Sequence, residues 1–237
     1  MPTTPDKTPA RISAMFDGIA PRYDFLNHFL SAGLDRGWRA RTIRALQLAA
    51  DACVVDLCTG TADMAVAAAA AAPRGRVIGV DFAPAMLRIG AAKLQAARLR
   101  DRVALVRGDA TRVPVREGWA DAATIAFGIR NVAEPDRTLR ELARVLKPGG
   151  RLAIVELGQP VVPGVRQVYN WYFNTILPRL GRFVSKHESA YSYLPASVGT
   201  FMAPPQFAAM ISSHGFHDVA AVPLSLGIVY LYAGTRA

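Results

Sequence analysis

The stretch Val54-Val55-Asp56-Leu57-Cys58-Thr59-Gly60-Thr61-Ala62-Asp63 decides how this chain folds. An apolar run ending in an acid, then a small-residue turn, then an alanine-rich segment reads as strand, turn and helix. A carboxylate at the strand end can fix a polar ligand group. Small turn residues let backbone N–H groups and the helix N-terminus come close to the ligand. No Gly-x-Gly-x-x-Gly spacing can be laid on this turn, which speaks against NAD.

Two further strand ends repeat the theme. Arg76-Val77-Ile78-Gly79-Val80-Asp81 ends in an acid 25 residues after Asp56, the placement needed to hold both hydroxyls of a ribose. Val103-Ala104-Leu105-Val106-Arg107 runs into Gly108-Asp109-Ala110, where a side-chain oxygen could accept from an adenine amino group. Aspartates are common after strands, so any one alone reads as a turn residue. Three in register resemble the cofactor edge of Rossmann-like S-adenosylmethionine-dependent methyltransferases.

The spacing predicts helical segments over Ile12 to Ile19, Arg22 to Ser31 and Arg36 to Leu48, so residues 1–50 read as a helical extension forming a lid. Residues 51–237 then alternate: strand 52–57, helix 63–72, strand 76–81, helix 84–97, strands 103–108 and 119–127, helix 134–146, strand 150–157. Pro148-Gly149-Gly150 stops helix 134–146. An aromatic and basic insertion follows at about 160–200. A helix near 204–214 and strands near 217–223 and 227–234 close the chain as a hairpin. This order implies an α/β fold with a mostly parallel central sheet, helices on both faces and a final antiparallel strand.

At 237 residues and 51% hydrophobic, the chain can fill one sizeable core. Its longest apolar runs fall short of the roughly 20 residues of a membrane span. The first seven residues carry no apolar segment of signal type. Cys53 and Cys58 fit neither a redox pair nor a zinc site, so a reducing cytoplasm is the expected compartment and no metal is expected. The net charge of +10 attracts polyanions in general. The basic residues are scattered, however, and no nucleic-acid module is visible.

Two blocks carry a family resemblance. One is Tyr23-Asp24-Phe25-Leu26-Asn27-His28-Phe29-Leu30-Ser31 with Gly33 and Trp38. The other is Arg144-Val145-Leu146-Lys147-Pro148-Gly149-Gly150-Arg151-Leu152, continuing to Glu156. Phe127-Gly128-Ile129-Arg130-Asn131-Val132 and Tyr191-Ser192-Tyr193-Leu194 with Ser197 support them. Together they closely resemble the ubiquinone and menaquinone biosynthesis C-methyltransferases, from about Phe16 to the C-terminal strand. The resemblance implies a class I methyltransferase moving a methyl group from S-adenosylmethionine to a ring carbon of a polyprenylated quinol, with demethylmenaquinol the leading acceptor. It places Gly60, Thr61, Asp81, Asp109, Ala110 and Ala126 at the cofactor, with Gly60 and Thr61 at the methionine portion. Departures from the family pattern are Cys58 and Ala62 in the turn, Ala126 for a serine, Asp35 for a histidine, Gly158 for a serine and Tyr232 for a histidine.

A phenol near pKa 10 is mostly neutral at pH 7, so the ring carbon becomes a nucleophile only when something favours the oxyanion. Arg130 is the first candidate, as a permanent cation beside the ring. Without the resemblance it reads as a strand-end cap or a partner of Glu134. Asn131 is placed to orient the ring oxygen or a bridging water. The proton falls to that water, Asp24, His187 or Tyr193. The insertion mixes Val168, Tyr169, Trp171, Tyr172, Ile176, Leu177, Leu180 and Phe183 with Arg166, Arg179, Arg182 and Lys186. That composition suits either an interfacial helix at the inner, anionic face of a membrane or a lid helix over the cofactor. A homodimer is compatible with the chain. The rivals are a methyltransferase for another aromatic or lipid-like molecule and, in a different class, a nucleic-acid-binding protein with this fold.

Overall fold

In the computed structural model, which describes residues 6–160, 162–171, 175 and 188–237, the chain builds a seven-stranded sheet. The strands are β1 (Cys53–Leu57), β2 (Arg76–Asp81), β3 (Val103–Arg107), β4 (Ala120–Ala126), β5 (Leu146–Leu157), β6 (Phe216–Leu224) and β7 (Val229–Arg236). The spatial order is β3-β2-β1-β4-β5-β7-β6. Pairings from β3 to β5 are parallel, and β7 runs antiparallel to both β5 and β6. The expected terminal hairpin is therefore present, with its second strand inserted next to β5.

The helices are α1 (Pro9–Leu30), α2 (Leu34–Leu46), α3 (Asp63–Ala71), α4 (Pro84–Ala96), α5 (Pro135–Val145), α6 (Pro163–Trp171), α7 (Glu188–Thr200) and α8 (Pro204–Ser213). Val54, Val55 and Leu57 are fully buried, because a central parallel strand is covered on both faces and selects a continuous apolar run. One face packs Leu57, Ile125, Leu139, Leu142, Ile154 and Phe207. The other packs Val54, Ala65, Ala68, Ala69, Val77 and Leu231. The alanines of α3 are small enough to bring that helix close to the sheet.

Two elements differ from expectation. The segments read as separate helices over 12–19 and 22–31 are one helix, α1, with Pro21 inside it. Its packing on α4 through Ala20, Ala83 and Met86 outweighs the loss of one backbone donor at the proline. Strand β5 begins at Leu146 rather than 150: Leu146 pairs Ala120 and Arg151 pairs Ala122, so Lys147 to Gly150 form an excursion within the strand. Gly149 turns it at φ +77°, a conformation glycine tolerates best.

The strand order reverses between β1 and β4, and in open α/β sheets that reversal opens a crevice at the carboxyl ends of the strands. Cys58 and Phe127, each just past one of those two strands, adopt positive φ (54° and 56°). Non-glycine residues held in that region cluster at functional sites.

Candidate functional site

Two adjoining cavities lie at this crevice. The smaller, about 40 Å³, is lined by Cys58, Gly60, Asp81, Phe82, Met86, Ala126, Gly128, Asn131 and Val132. The larger, about 180 Å³, is lined mainly by apolar residues of α1, with Trp38, Arg130, Leu157, Tyr193, Leu194 and Ile228. Phe16, Tyr23 and Phe127 line both, forming a shared wall.

The structure thus brings Gly60, Asp81, Ala126 and Asn131 to one cavity and Arg130 to its neighbour. Thr61, Asp109 and Ala110 line neither. Asp81 accepts from the Gly60 N–H (2.9 Å) and the Ala83 N–H (2.8 Å), stitching together the turns after β1 and β2. Burial pushes its carboxyl above the usual carboxylate range, against the pull of those backbone donors. A carboxylate offers about four lone-pair sites, so acceptor capacity remains for a ligand. Asn131 Oδ1 is buried with no hydrogen-bond partner among the described residues. The Cβ of Cys58 lies 2.3 Å from where a Cβ on Gly128 would stand, so the cysteine in the turn is accommodated by glycine opposite it.

Thr61 donates to Asp24 (2.5 Å) and accepts from Lys93 (3.0 Å), so its side chain serves the contact between the turn and α1. Lys93 also pairs with Asp24 and with Asp63, both at 2.6 Å. Arg39 carries the chain of charges on to Asp63 (2.9 Å) and Asp35, and Asp35 in turn binds His28 (2.9 Å). This network, which joins α1, α2, α3 and α4, commits Asp24 to a salt bridge outside both cavities. Asp109 accepts from the Thr111 N–H and hydroxyl, both at 2.8 Å, on an exposed turn. Ala110 is buried in the core.

Asp56 does not reach the crevice surface. It is fully buried, accepts from the Thr59 hydroxyl (2.5 Å), and burial pushes its carboxyl up to about 7. Its folded value lies above the ordinary carboxylate value, so the stability tied to its proton is full below about pH 4 and is lost as pH rises toward 7. Asp56→Asn is expected to flatten the fall in melting temperature between these limits, as a pH series of thermal melts would show.

Arg130 fills one of the two roles read from sequence: it caps the end of β4 through the Phe127 carbonyl, but its ion-pair partner is not Glu134. Glu134 pairs with Arg137 (3.0 Å), whereas Arg130 Nη1 donates to Glu156 (2.6 Å) and to the Phe127 carbonyl (2.7 Å). Arg130 and Glu156 are both buried, and Arg130 Nε lacks an acceptor among the described residues. Glu156 was visible as the end of a strand but not as a site residue. The signal available was a lone acid closing the apolar run Leu152-Ala153-Ile154-Val155. Tyr193 brings a buried hydroxyl with no partner among the described residues into the larger cavity. Burial raises the Tyr193 and Tyr23 phenols. His187 lies outside the described residues, as do Tyr172, Ile176, Leu177, Arg179, Leu180, Arg182, Phe183 and Lys186.

Comparison with known proteins shows what the chain resembles. The model of the ubiE/COQ5 methyltransferase family matches residues 5–236. A ubiquinone/menaquinone biosynthesis C-methyltransferase UbiE of Syntrophotalea carbinolica is 45% identical over 94% of this chain and 93% of its own. A demethylmenaquinone methyltransferase of Thermus thermophilus is 43% identical over 94% of this chain and 100% of its own. Among solved structures, geranyl diphosphate C-methyltransferase of Streptomyces coelicolor, in complex with Mg2+, geranyl diphosphate and S-adenosyl-L-homocysteine, shares the fold. Its TM-score is 0.62 at 16% identity, over 86% of this chain and 80% of that one.

Proposed function

The chain belongs to the ubiE/COQ5 methyltransferase family, and from that membership we propose that it transfers a methyl group from S-adenosylmethionine to a ring carbon of a prenylated quinol. Demethylmenaquinol is the leading acceptor, since several relatives are demethylmenaquinone methyltransferases. The observation that carries the reading is the pair of cavities sharing one wall, a small one with acidic and amide acceptors and a larger apolar one.

The lining of the smaller cavity suits the chemistry of part of the donor. Among the described residues its lining holds no cation, and the Asp81 carboxylate with Asn131 Oδ1, orphaned among those residues, suits a positively charged ligand rich in hydroxyl and ammonium donors. Asp81 would hold the ribose, and Gly60 and Ala126 leave room for the rest. Bound S-adenosylmethionine supplies a methyl group already electrophilic on its sulfonium. The protein's task is to hold the acceptor carbon in line behind it, and such positioning is worth roughly 7–11 kcal/mol.

The larger cavity accommodates a flat apolar ring and the start of its tail. There Arg130 would stabilise developing phenolate charge. Asp35, the carboxylate in the lining, is already bound by His28 and Arg39, and Asp24 by Lys93. With those two carboxylates committed, the hydroxyl proton would fall to water, His187 or Tyr193. To test the reading, purified protein is incubated with methyl-labelled S-adenosylmethionine and a panel of demethylated quinols. Label in the naphthoquinol ring supports it; donor bound with no label in any quinol refutes it.

Membrane contact fits the same site. No helix among the described residues is long and apolar enough to cross a bilayer. Phe25 and Phe29 stack on the outer side of α1 and are 62% and 53% exposed, beside Leu26 and Leu30 of the larger cavity. Val168 and Trp171 of α6 are also exposed. Aromatics of this kind sit at headgroup depth, where a quinol with a long tail would be collected. Phe25→Ser/Phe29→Ser is expected to weaken binding to phosphatidylglycerol vesicles about tenfold or more. Turnover of a short-tailed, soluble quinol should stay at the wild-type level.

A further inference from the structure

Glu156 closes β5 with no solvent exposure, and three donors converge on it. Arg130 Nη1 reaches Oε1 at 2.6 Å, the Leu157 N–H reaches Oε1 at 2.8 Å, and the Arg130 N–H reaches Oε2 at 3.2 Å. One carboxylate therefore holds both ends of Arg130, its backbone and its guanidinium. The same backbone contact anchors the 3-10 turn Ile129–Asn131, which carries Asn131 into the smaller cavity. Glu156 itself lines neither cavity.

Burying a carboxylate and a guanidinium together often gains little stability over apolar side chains of similar volume. A pair kept beside the larger cavity therefore calls for another reason. The pairing occupies Nη1 and leaves Nε, buried, without an acceptor. Rotation of the guanidinium would break both of its present bonds, so its remaining donors, on Nε and Nη2, are held in one orientation.

Resting on the methyltransferase reading above, we propose that Glu156 is the positioning residue for Arg130: it fixes the direction of the guanidinium toward the acceptor's ring oxygen and offsets part of its positive field. The second effect follows from Coulomb's law. An anion beside the cation weakens the pull on a substrate hydroxyl proton, so removing that anion eases ionisation. Other groups facing this pair are Lys7 ahead of α1, Tyr23 on α1, Cys58 after β1, Tyr169 on α6, Tyr193 on α7 and Tyr232 on β7. Burial pushes the lysine down and the thiol and phenols up.

Two near-isosteric variants separate charge from direction. Glu156→Gln keeps the shape and removes the charge; Glu156→Asp keeps the charge and withdraws it by one methylene. Each is assayed for methyl transfer to demethylmenaquinol from pH 6 to 10, with S-adenosylhomocysteine binding followed by calorimetry. We expect both to lower kcat about tenfold or more, with S-adenosylhomocysteine affinity within about threefold of wild type. The midpoint of the rising limb of kcat should move down by about half a pH unit or more in Glu156→Gln and stay in place in Glu156→Asp. Wild-type kcat with an unmoved midpoint in Glu156→Gln would overturn the proposal, as would a loss of kcat matched by an equal loss of S-adenosylhomocysteine affinity. Absence of methyl transfer by the wild type would instead overturn the reading on which it rests.

Discussion

Arg130→Ala is expected to lower kcat by roughly 10²–10³-fold, the loss typical when one oxyanion-stabilising donor is removed from a preorganised site. Affinity for S-adenosylhomocysteine should stay within about threefold of wild type, because Arg130 lines the larger cavity and not the smaller one. Stability should fall as well. The variant leaves Glu156 buried without its cation, and removing one partner of such a pair costs about 3–5 kcal/mol. Arg130→Lys restores a charge but not the planar fork, and should recover stability more than turnover. Steady-state kinetics, calorimetry and thermal melts on the same samples check the three parts. Equal loss of cofactor binding and turnover would remove the role assigned to Arg130.

Asp81→Ala should show the opposite split. It removes the acceptor proposed for the ribose and also releases the Gly60 and Ala83 N–H groups, so both turns that frame the smaller cavity lose their tie. Truncating a buried charge that also bonds the ligand costs 2–5 kcal/mol or more, so affinity for S-adenosylhomocysteine should fall by about 10²-fold or more. Asp81→Asn keeps one acceptor oxygen and should lie between. Unchanged affinity in Asp81→Ala, measured by calorimetry, would take the ribose away from this strand end.

The sheet was legible because its strands obey simple physics. Val54-Val55 and Val77-Ile78 are continuous apolar runs suited to two-sided burial, and acids or small residues end them. The lid was less so. Pro21 reads as a break between two helices, yet the packing of Ala20 under Ala83 and Met86 carries α1 through it. The site divides along the same line. Gly60 and Asp81 follow from strand ends that must meet at one crevice. Thr61 could not be placed, because its side chain is claimed by Asp24 and Lys93, each more than 30 residues away. The partner of Arg130 was missed for a related reason. Glu134 is near in sequence, but Glu156 comes to it across the sheet, where β4 and β5 pair in parallel.

Phe16, Tyr23 and Phe127 line both cavities, and the account requires donor and acceptor to meet beside these residues, one from each cavity. The most direct test is a crystal structure of the protein with S-adenosylhomocysteine and a short-tailed demethylated naphthoquinol. The account predicts the homocysteine ligand against Gly60, Asp81 and Asn131, and the quinol ring against Arg130 and Tyr193 with its tail leaving past α1. A quinol ring bound away from Arg130, or a nucleoside bound away from Asp81, would contradict it.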